Sequence, residues 1–307
     1  MIYTVTLNPS LDHILEAPAL HLGQVNRIPA ARMAFGGKGI SQSVILTALG
    51  IPNCALGFAG GYTGQKLRRL LQQHGVQEQL VEIDGETRIN IKIRAGQETE
   101  LNTPGPLVGP EDCKKLLAQL DRLQSGDVLS FGGSVPPGIP PTVIHDILTR
   151  LQGRGIFTAV DADGELLRLS LAGRPCLVKP NRQEAAALLG MTGTEPDFAR
   201  QAALRIQAMG AQNVLLSLGG DGAAQLTQEG EFFLLRAPQG KVRGTTGAGD
   251  SLLAGFLAGR ALGLGWFAAF HLGVAAGSAT AFAGRLATRE EIDAVQASMK
   301  MRGVETL

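Results

Sequence analysis

Two hydrophobic periods alternate along the chain, most clearly in its second half. Val128–Phe131 (VLSF) is a short apolar run that stops at Gly132-Gly133, the pattern of a buried strand. Thr142–Leu151 carries apolar residues at Val143, Ile144, Ile147, Leu148 and Leu151, a spacing that predicts a helix with one buried face. Ile156–Val160 predicts a strand ending at Asp161, and Cys176–Val178 another ending at Lys179-Pro180-Asn181. Gln183–Leu189 reads as a helix stopped by Gly190, and Asp197–Met209 as a second helix closed by Gly210. Val214–Leu218 is a strand that runs into the hairpin-type turn Gly219-Gly220-Asp221-Gly222. This β-α-β-α order predicts an α/β fold, a mostly parallel central sheet with helices on both faces.

The chain before about residue 105 follows another rule. Thr87–Arg94 (TRINIKIR) alternates strictly, with Ile89, Ile91 and Ile93 on one face and Arg88, Asn90, Lys92 and Arg94 on the other. A strand buried on both faces would not alternate, so this one is half exposed. With part of Ile14–Phe35 it predicts a small protruding β-sheet, built from segments near 12–35 and 87–105, that could cover a cleft. Its exposed apolar face could also pair with a second subunit in a homodimer. No internal repeat or linker interrupts the chain, so 1–307 reads as a single domain.

Composition narrows the function. The net charge is +1, aromatic residues make up 5%, and no Lys/Arg run stands out, which argues against nucleic-acid binding. The three cysteines, Cys54, Cys113 and Cys176, have neither disulfide-framework nor zinc spacing. The N-terminus lacks the basic region of a signal peptide. The alanine-rich stretch Phe267–Ala283 is broken by His271, Ser278 and several glycines, so no membrane span is expected. A cytoplasmic location is the default.

The chemistry concentrates in Val242–Phe256, VRGTTGAGDSLLAGF, where small residues run into Asp250 at the start of an apolar helical pattern. A helix N-terminus carries unpaired N–H groups and partial positive charge, and glycines let an anion approach the backbone. By itself the motif does not separate a phosphate site from an acid placed favourably in a first helical turn. No GxxxxGK[ST] loop occurs, and the loop lies too late in the chain for a dinucleotide fingerprint. Other apparent strand ends carry Asn8 and Asp12, Gly36–Gly39, Gly132–Ser134, Asp161 and Asp163, Lys179–Glu184 and Ser217–Gly222. In open parallel sheets ligands gather at those ends.

These stretches, TLNPSLD, GGKG, TRIN, GGSVPPG, VKPNRQE, SLGGDGA and GTTGAGDS, occur in the order found in the ribokinase-like sugar kinases. The chain resembles the phosphofructokinase-B branch of that family nearly end to end. TLNPSLD with TRIN is similar to the kinases of phosphorylated ketohexoses. The resemblance implies a ribokinase-like three-layer sandwich with a small β lid, and an ATP- and Mg²⁺-dependent phosphotransferase. Fructose 1-phosphate is the favoured acceptor, tagatose 6-phosphate a close second and fructose 6-phosphate third.

It also implies roles. Asp250 would be the general base, a device worth roughly 10²–10⁴ in rate. The amides of Gly247, Ala248 and Gly249 would face the transferring phosphoryl group. Asn181 and Glu184 would order Mg²⁺, largely through water; a helix cap is the competing reading and is compatible with it. Ser217, Gly220, Gly222 and Thr245 would border the nucleotide, with the adenine pocket completed near Ala275–Gly284. Lys179 would reach the ATP phosphates or else lie on the surface. On the acceptor side, Asp12 would grip sugar hydroxyls beside Gly36 and Gly37, and Arg88, then Lys38, would hold the acceptor's own phosphate, with Asn90 adding a polar contact. No histidine receives a catalytic role. Three positions depart from the family's usual pattern. Ser41 stands where a sugar-contacting Asn is usual, Gly244 precedes Thr245, and Tyr62 stands where relatives often carry Asp. The rivals are a kinase of unphosphorylated sugars or nucleosides and a non-catalytic sugar-phosphate sensor.

Overall fold

The computed structural model describes residues 1–299. In chain order the first half holds β1 (Ile2–Thr6), β2 (Ser10–Glu16), β3 (Ala30–Gly36), α1 (Lys38–Ala48), β4 (Asn53–Ala59), α2 (Gly61–Gln73), β5 (Glu78–Glu82), β6 (Arg88–Ala95), β7 (Gln97–Leu101), α3 (Pro110–Leu120) and β8 (Val128–Gly132). Then come α4 (Val143–Leu151), β9 (Phe157–Asp161), α5 (Gly164–Ala172), β10 (Leu177–Val178), α6 (Arg182–Leu189), α7 (Phe198–Ala208) and β11 (Asn213–Ser217). The last are β12 (Ala223–Leu226), β13 (Phe232–Leu235), α8 (Ala248–Ala261), α9 (Trp266–Ala283) and α10 (Arg289–Ser298).

Nine strands form the central sheet, in the order β13-β12-β11-β10-β9-β8-β1-β4-β5. All neighbouring pairs are parallel except β11–β12 and β12–β13, which are antiparallel. The two-residue period of each strand sends neighbours to opposite cores. Val214 and Leu216 join the cluster under α3–α7, whereas Leu215 between them joins the cluster under α8–α10. Val160 and Ala159 divide in the same way. The predicted face of α4 is the buried one, through Ile144, Ile147, Leu148 and Leu151. Gly190 ends α6 in the left-handed conformation, φ 64°.

The alanine-rich stretch departs from expectation. It is one unbroken helix, α9, and among the described residues it is the one helix long and apolar enough to cross a membrane by length and composition. Its glycines do not break it, because they admit α8. A Cβ on Gly273 would meet Leu252 O at 2.7 Å, and one on Gly277 would meet Ala248 O at 2.9 Å. Phe256 and Phe270 are fully buried in the same core, and truncating such a ring to alanine costs about 3–5 kcal/mol.

A second sheet of four strands, ordered β3-β2-β6-β7, forms the small lid. Its alternation is the one read from TRINIKIR, with the polar face covered and the apolar face turned outward. Asn90 and Lys92 are buried, while Ile89 is 39% exposed and Leu101 of β7 52% exposed. At the lid's root, Leu11, Met33 and Phe35 pack onto α1 and α2.

Candidate active site

Parallel register collects the chemistry at one edge of the central sheet. Gly132 of β8 lies beside Asp161 of β9, and Val178 of β10 lies beside Val160 of β9 and Val214 of β11. The residues that end these strands therefore emerge side by side. A cavity of about 810 Å³ opens there. Lys38, Lys179, Asn181, Glu184, Ser217, Gly220, Gly222, Thr245, Ala248, Gly249 and Asp250 all line it. Its far wall is Val274, Gly277, Ser278, Ala281 and Phe282, close to the segment expected to complete a base pocket.

Asp250 stands in the first turn of α8, behind Gly247, which is left-handed at φ 81°. A side chain at Gly247 would be strained there and would press a Cβ to 2.8 Å from Leu286. Of the three amides expected to face phosphate, that of Ala248 donates to Thr245 O at 3.1 Å, closing the turn. Ala248 N–H is therefore already committed, and Gly247 and Gly249 carry the expectation. A Cβ on Gly249 would lie 3.3 Å from Lys179 Nζ, so the glycine leaves room for that ammonium at the helix terminus.

Beneath Asp250 lies an acid that the sequence placed at a strand end without giving it a role. Asp161 is fully buried and takes two lysines: Lys38 Nζ at 2.9 Å and Lys179 Nζ at 3.2 Å. Lys38 also lies 3.6 Å from Glu184 Oε1. Lys179 is 4% exposed, which removes the surface reading. Burial disfavours the charge on Asp250, and the negative Asp161 adds to that effect; Lys179, Lys38 and a hydrogen bond from Ser41 oppose it. The net result is a carboxyl raised to about 7. Burial also works against the charge on Lys38, but Asp161 and then Glu184 more than offset it, so its pKa rises.

Asn181 and Glu184 form a capping box at the start of α6. Asn181 Oδ1 accepts from Glu184 N–H at 2.8 Å, and Glu184 Oε2 accepts from Asn181 N–H at 2.7 Å. Glu184 Oε1 takes no part in the cap and lies 3.6 Å from Lys38 Nζ. Hard carboxylate and amide oxygens of this kind suit Mg²⁺ that keeps most of its water. Among the described residues no group of three His, Cys, Asp or Glu could enclose a metal ion.

Asp12, Gly36, Gly37, Arg88 and Asn90, expected to bind the acceptor, do not line this cavity and lie on or beside the lid. Asp12 Oδ1 accepts from Ser10 Oγ at 2.7 Å and from Asn90 Nδ2 at 3.3 Å. Gly36 is obligatory here, since a Cβ would collide with the Asp12 carboxylate and Ser10 Oγ. Gly37 is left-handed, φ 125°, against Thr6. Arg88 opens β6 and lines a separate recess of about 660 Å³ with Thr103–Leu107. Its Nη1 donates to Thr103 O and its Nη2 to Asn8 O, both at 2.9 Å.

Two expected placements change. Lys38 had been grouped with Arg88 on the acceptor's phosphate, yet it lines the Asp250 cavity, because the first turn of α1 points its ammonium at Asp161. Ser41, one turn on, lies beside Asp250 and favours its ionised form. Lys92, overlooked in the sequence, puts its Nζ 3.0 Å from Asp12 Oδ2. Its only signal was sharing the polar face of TRINIKIR with Asn90. His271 is buried in the α8–α10 core, outside the chemistry.

Residues 5–291 match the pfkB family of carbohydrate kinases. The chain is 38% identical to the 1-phosphofructokinase of Bacillus subtilis (strain 168) over 301 residues, 98% of this chain and 99% of that protein. It is 32% identical to the D-tagatose-1-phosphate kinase of Bacillus licheniformis over 303 residues, 95% and 96% of the two chains. The crystal structure of phosphofructokinase-2 from Escherichia coli in complex with fructose-6-phosphate superposes with a TM-score of 0.90 at 32% identity, covering 96% and 98% of the two chains.

Proposed function

The chain belongs to the pfkB family of carbohydrate kinases, and from that premise we propose that it transfers the γ-phosphoryl group of ATP to a ketohexose 1-phosphate. Fructose 1-phosphate is the first choice, with fructose 1,6-bisphosphate and ADP as products. One observation carries the reading. The Asp250 carboxylate, raised to about 7, sits at the N-terminus of α8 on the wall of a cavity sized for a nucleotide, with two lysines beside it.

Asp250 takes the proton of the attacking sugar hydroxyl. A base with a pKa near the working pH suits that task. The Gly247 and Gly249 amides and the helix terminus favour negative charge on the group in flight. Lys179 and Lys38 supply positive charge next to it; the Asp161 pairing keeps both ammonium groups in place until phosphate oxygens compete for them. Glu184 and Asn181 would hold Mg²⁺ by way of water, and the ion when bound would neutralise phosphate charge. Asp12 accepts from sugar hydroxyls. Arg88 holds the acceptor's phosphate with the N–H groups not committed to Thr103 and Asn8.

The Bacillus licheniformis relative is named for a ketohexose phosphorylated at C1, so tagatose 1-phosphate replaces tagatose 6-phosphate as the second acceptor. The exposed outer face of the lid, with Ile89 and Leu101, would pair with that of a second copy; light scattering that finds only monomer at micromolar concentration contradicts this. The catalytic reading is tested by assaying ADP release with Mg²⁺ against fructose 1-phosphate, tagatose 1-phosphate, fructose 6-phosphate and free fructose. The expected kcat/KM order follows that list. Equal or better turnover of free fructose overturns the assignment, and no turnover of any acceptor favours a sensor.

A further inference from the structure

Of the charged side chains outside the machinery described above, Lys92 is the most deeply enclosed. It lies on β6, two residues beyond Asn90, and the parallel pairing with β2 sets Asn90 beside Asp12 and Lys92 beside Ile14. Its side chain is 10% exposed and that of Asp12 9%. The ammonium stands 3.0 Å from Asp12 Oδ2 and 3.5 Å from Glu100 Oε1 on β7, a carboxylate that is 40% exposed. Burying a lysine is costly, and an apolar side chain of similar length would fill the same space without that cost. A structural explanation confined to packing therefore does not account for the charge.

The hydrogen-bond count supplies an account. An ionised carboxylate offers about four acceptor positions. At Asp12 three are taken, by Ser10 Oγ, Asn90 Nδ2 and Lys92 Nζ. The three partners are one side chain on β2 and two on β6, and Gly36, where a Cβ would collide with the carboxylate, lies against a further side. A single direction is left for an incoming hydroxyl. Lys92 is the only cation of the set, so it also keeps Asp12 from turning its second oxygen away.

We propose that Lys92 is the positioning residue of the acceptor site: it fixes the Asp12 carboxylate for one sugar hydroxyl and ties that setting to the edge strand of the lid through Glu100. The proposal rests on the ketohexose-phosphate reading above. Lys92 does not act on the nucleotide, whose cavity it does not line. Its effect belongs in acceptor affinity, and it works through Asp12.

Steady-state kinetics of the full chain with fructose 1-phosphate and ATP test this. Lys92→Met should raise the acceptor KM about tenfold or more, as loss of a charge-assisted hydrogen bond does, and leave the ATP KM within about twofold. Lys92→Arg should recover most of the loss. In an Asp12→Asn background, Lys92→Met should add less than about twofold, because the two residues act as one unit. Glu100→Gln, an exposed change that leaves folding intact, should raise the acceptor KM about two- to threefold. An unchanged acceptor KM in Lys92→Met, or losses that multiply in the double variant, overturns the role assigned to Lys92; an unchanged KM in Glu100→Gln overturns the tie to the edge strand. If wild type turns over no sugar phosphate, the kinase reading itself falls and this role with it.

Discussion

Lys38 and Asp161 form an ion pair, Nζ to Oδ1 at 2.9 Å, that joins the first turn of α1 to the end of β9, close enough to Asp250 to act on its charge. The pair places the Lys38 ammonium on the wall of the cavity that Asp250 lines. Asp161 also takes Lys179, so one buried carboxylate sets both cations that flank the proposed transfer path.

Asp161→Asn tests this arrangement in two ways. Both lysines lose their fixed partner, and kcat should fall about ten- to a hundredfold. The negative charge that helps to raise Asp250 is also gone, so the acid limb of the pH–rate profile should move to lower pH. A limb that stays in place or moves upward contradicts the coupling.

The wild-type profile follows from the raised carboxyl. As the proposed base, Asp250 would act only when ionised, so activity should be full above its pKa and lost as pH falls through it. With that pKa near 7, kcat/KM should drop between about pH 8 and 6 and approach tenfold per unit at the lower end. The acceptor's own phosphate ionises near about 6, so the upper part of the window reports the enzyme. A flat profile down to about pH 6 counts against the assignment.

Gly36→Ala separates the two halves of the site. Its Cβ collides with the Asp12 carboxylate and touches nothing in the nucleotide cavity. The acceptor KM should rise at least about tenfold with the ATP KM within about twofold; a rise confined to the ATP KM contradicts the placement of Asp12.

Arg88→Ala distinguishes phosphorylated from free acceptors. A phosphate contact by a guanidinium is worth about 1.5–3 kcal/mol. The variant should lose roughly ten- to a hundredfold in kcat/KM with fructose 1-phosphate and little with free fructose. Equal losses with both would make Arg88 a structural residue, holding Thr103 and Asn8.

Much of the architecture was legible because it depends on local signals. Apolar runs at Val128, Ile156 and Val214 became β8, β9 and β11, and Gly190 stopped a helix where its conformation allowed. Asp250 and the Asn181–Glu184 pair were legible because a motif carries them. Asp161 was visible as a strand end, but its role depends on which side chains the parallel register sets around it, and a single strand does not state its neighbours. Lys92 was hidden for a related reason. The alternation in TRINIKIR puts Lys92 on one face with Asn90, but it does not state that Asp12 of β2 lies within reach of its ammonium. The glycines of α9 were read as interruptions, because close packing on α8 cannot be seen from α9 alone.

Asp250→Asn tests the central claim most directly, through single-turnover kinetics together with nucleotide binding on the same preparation. The substitution keeps the shape of the side chain and removes the proton acceptor. The chemical step should slow by at least about a hundredfold while the dissociation constant for ATP changes no more than several-fold. Near-normal turnover, or a collapse of nucleotide affinity that accounts for the whole loss, would show that Asp250 is not the base.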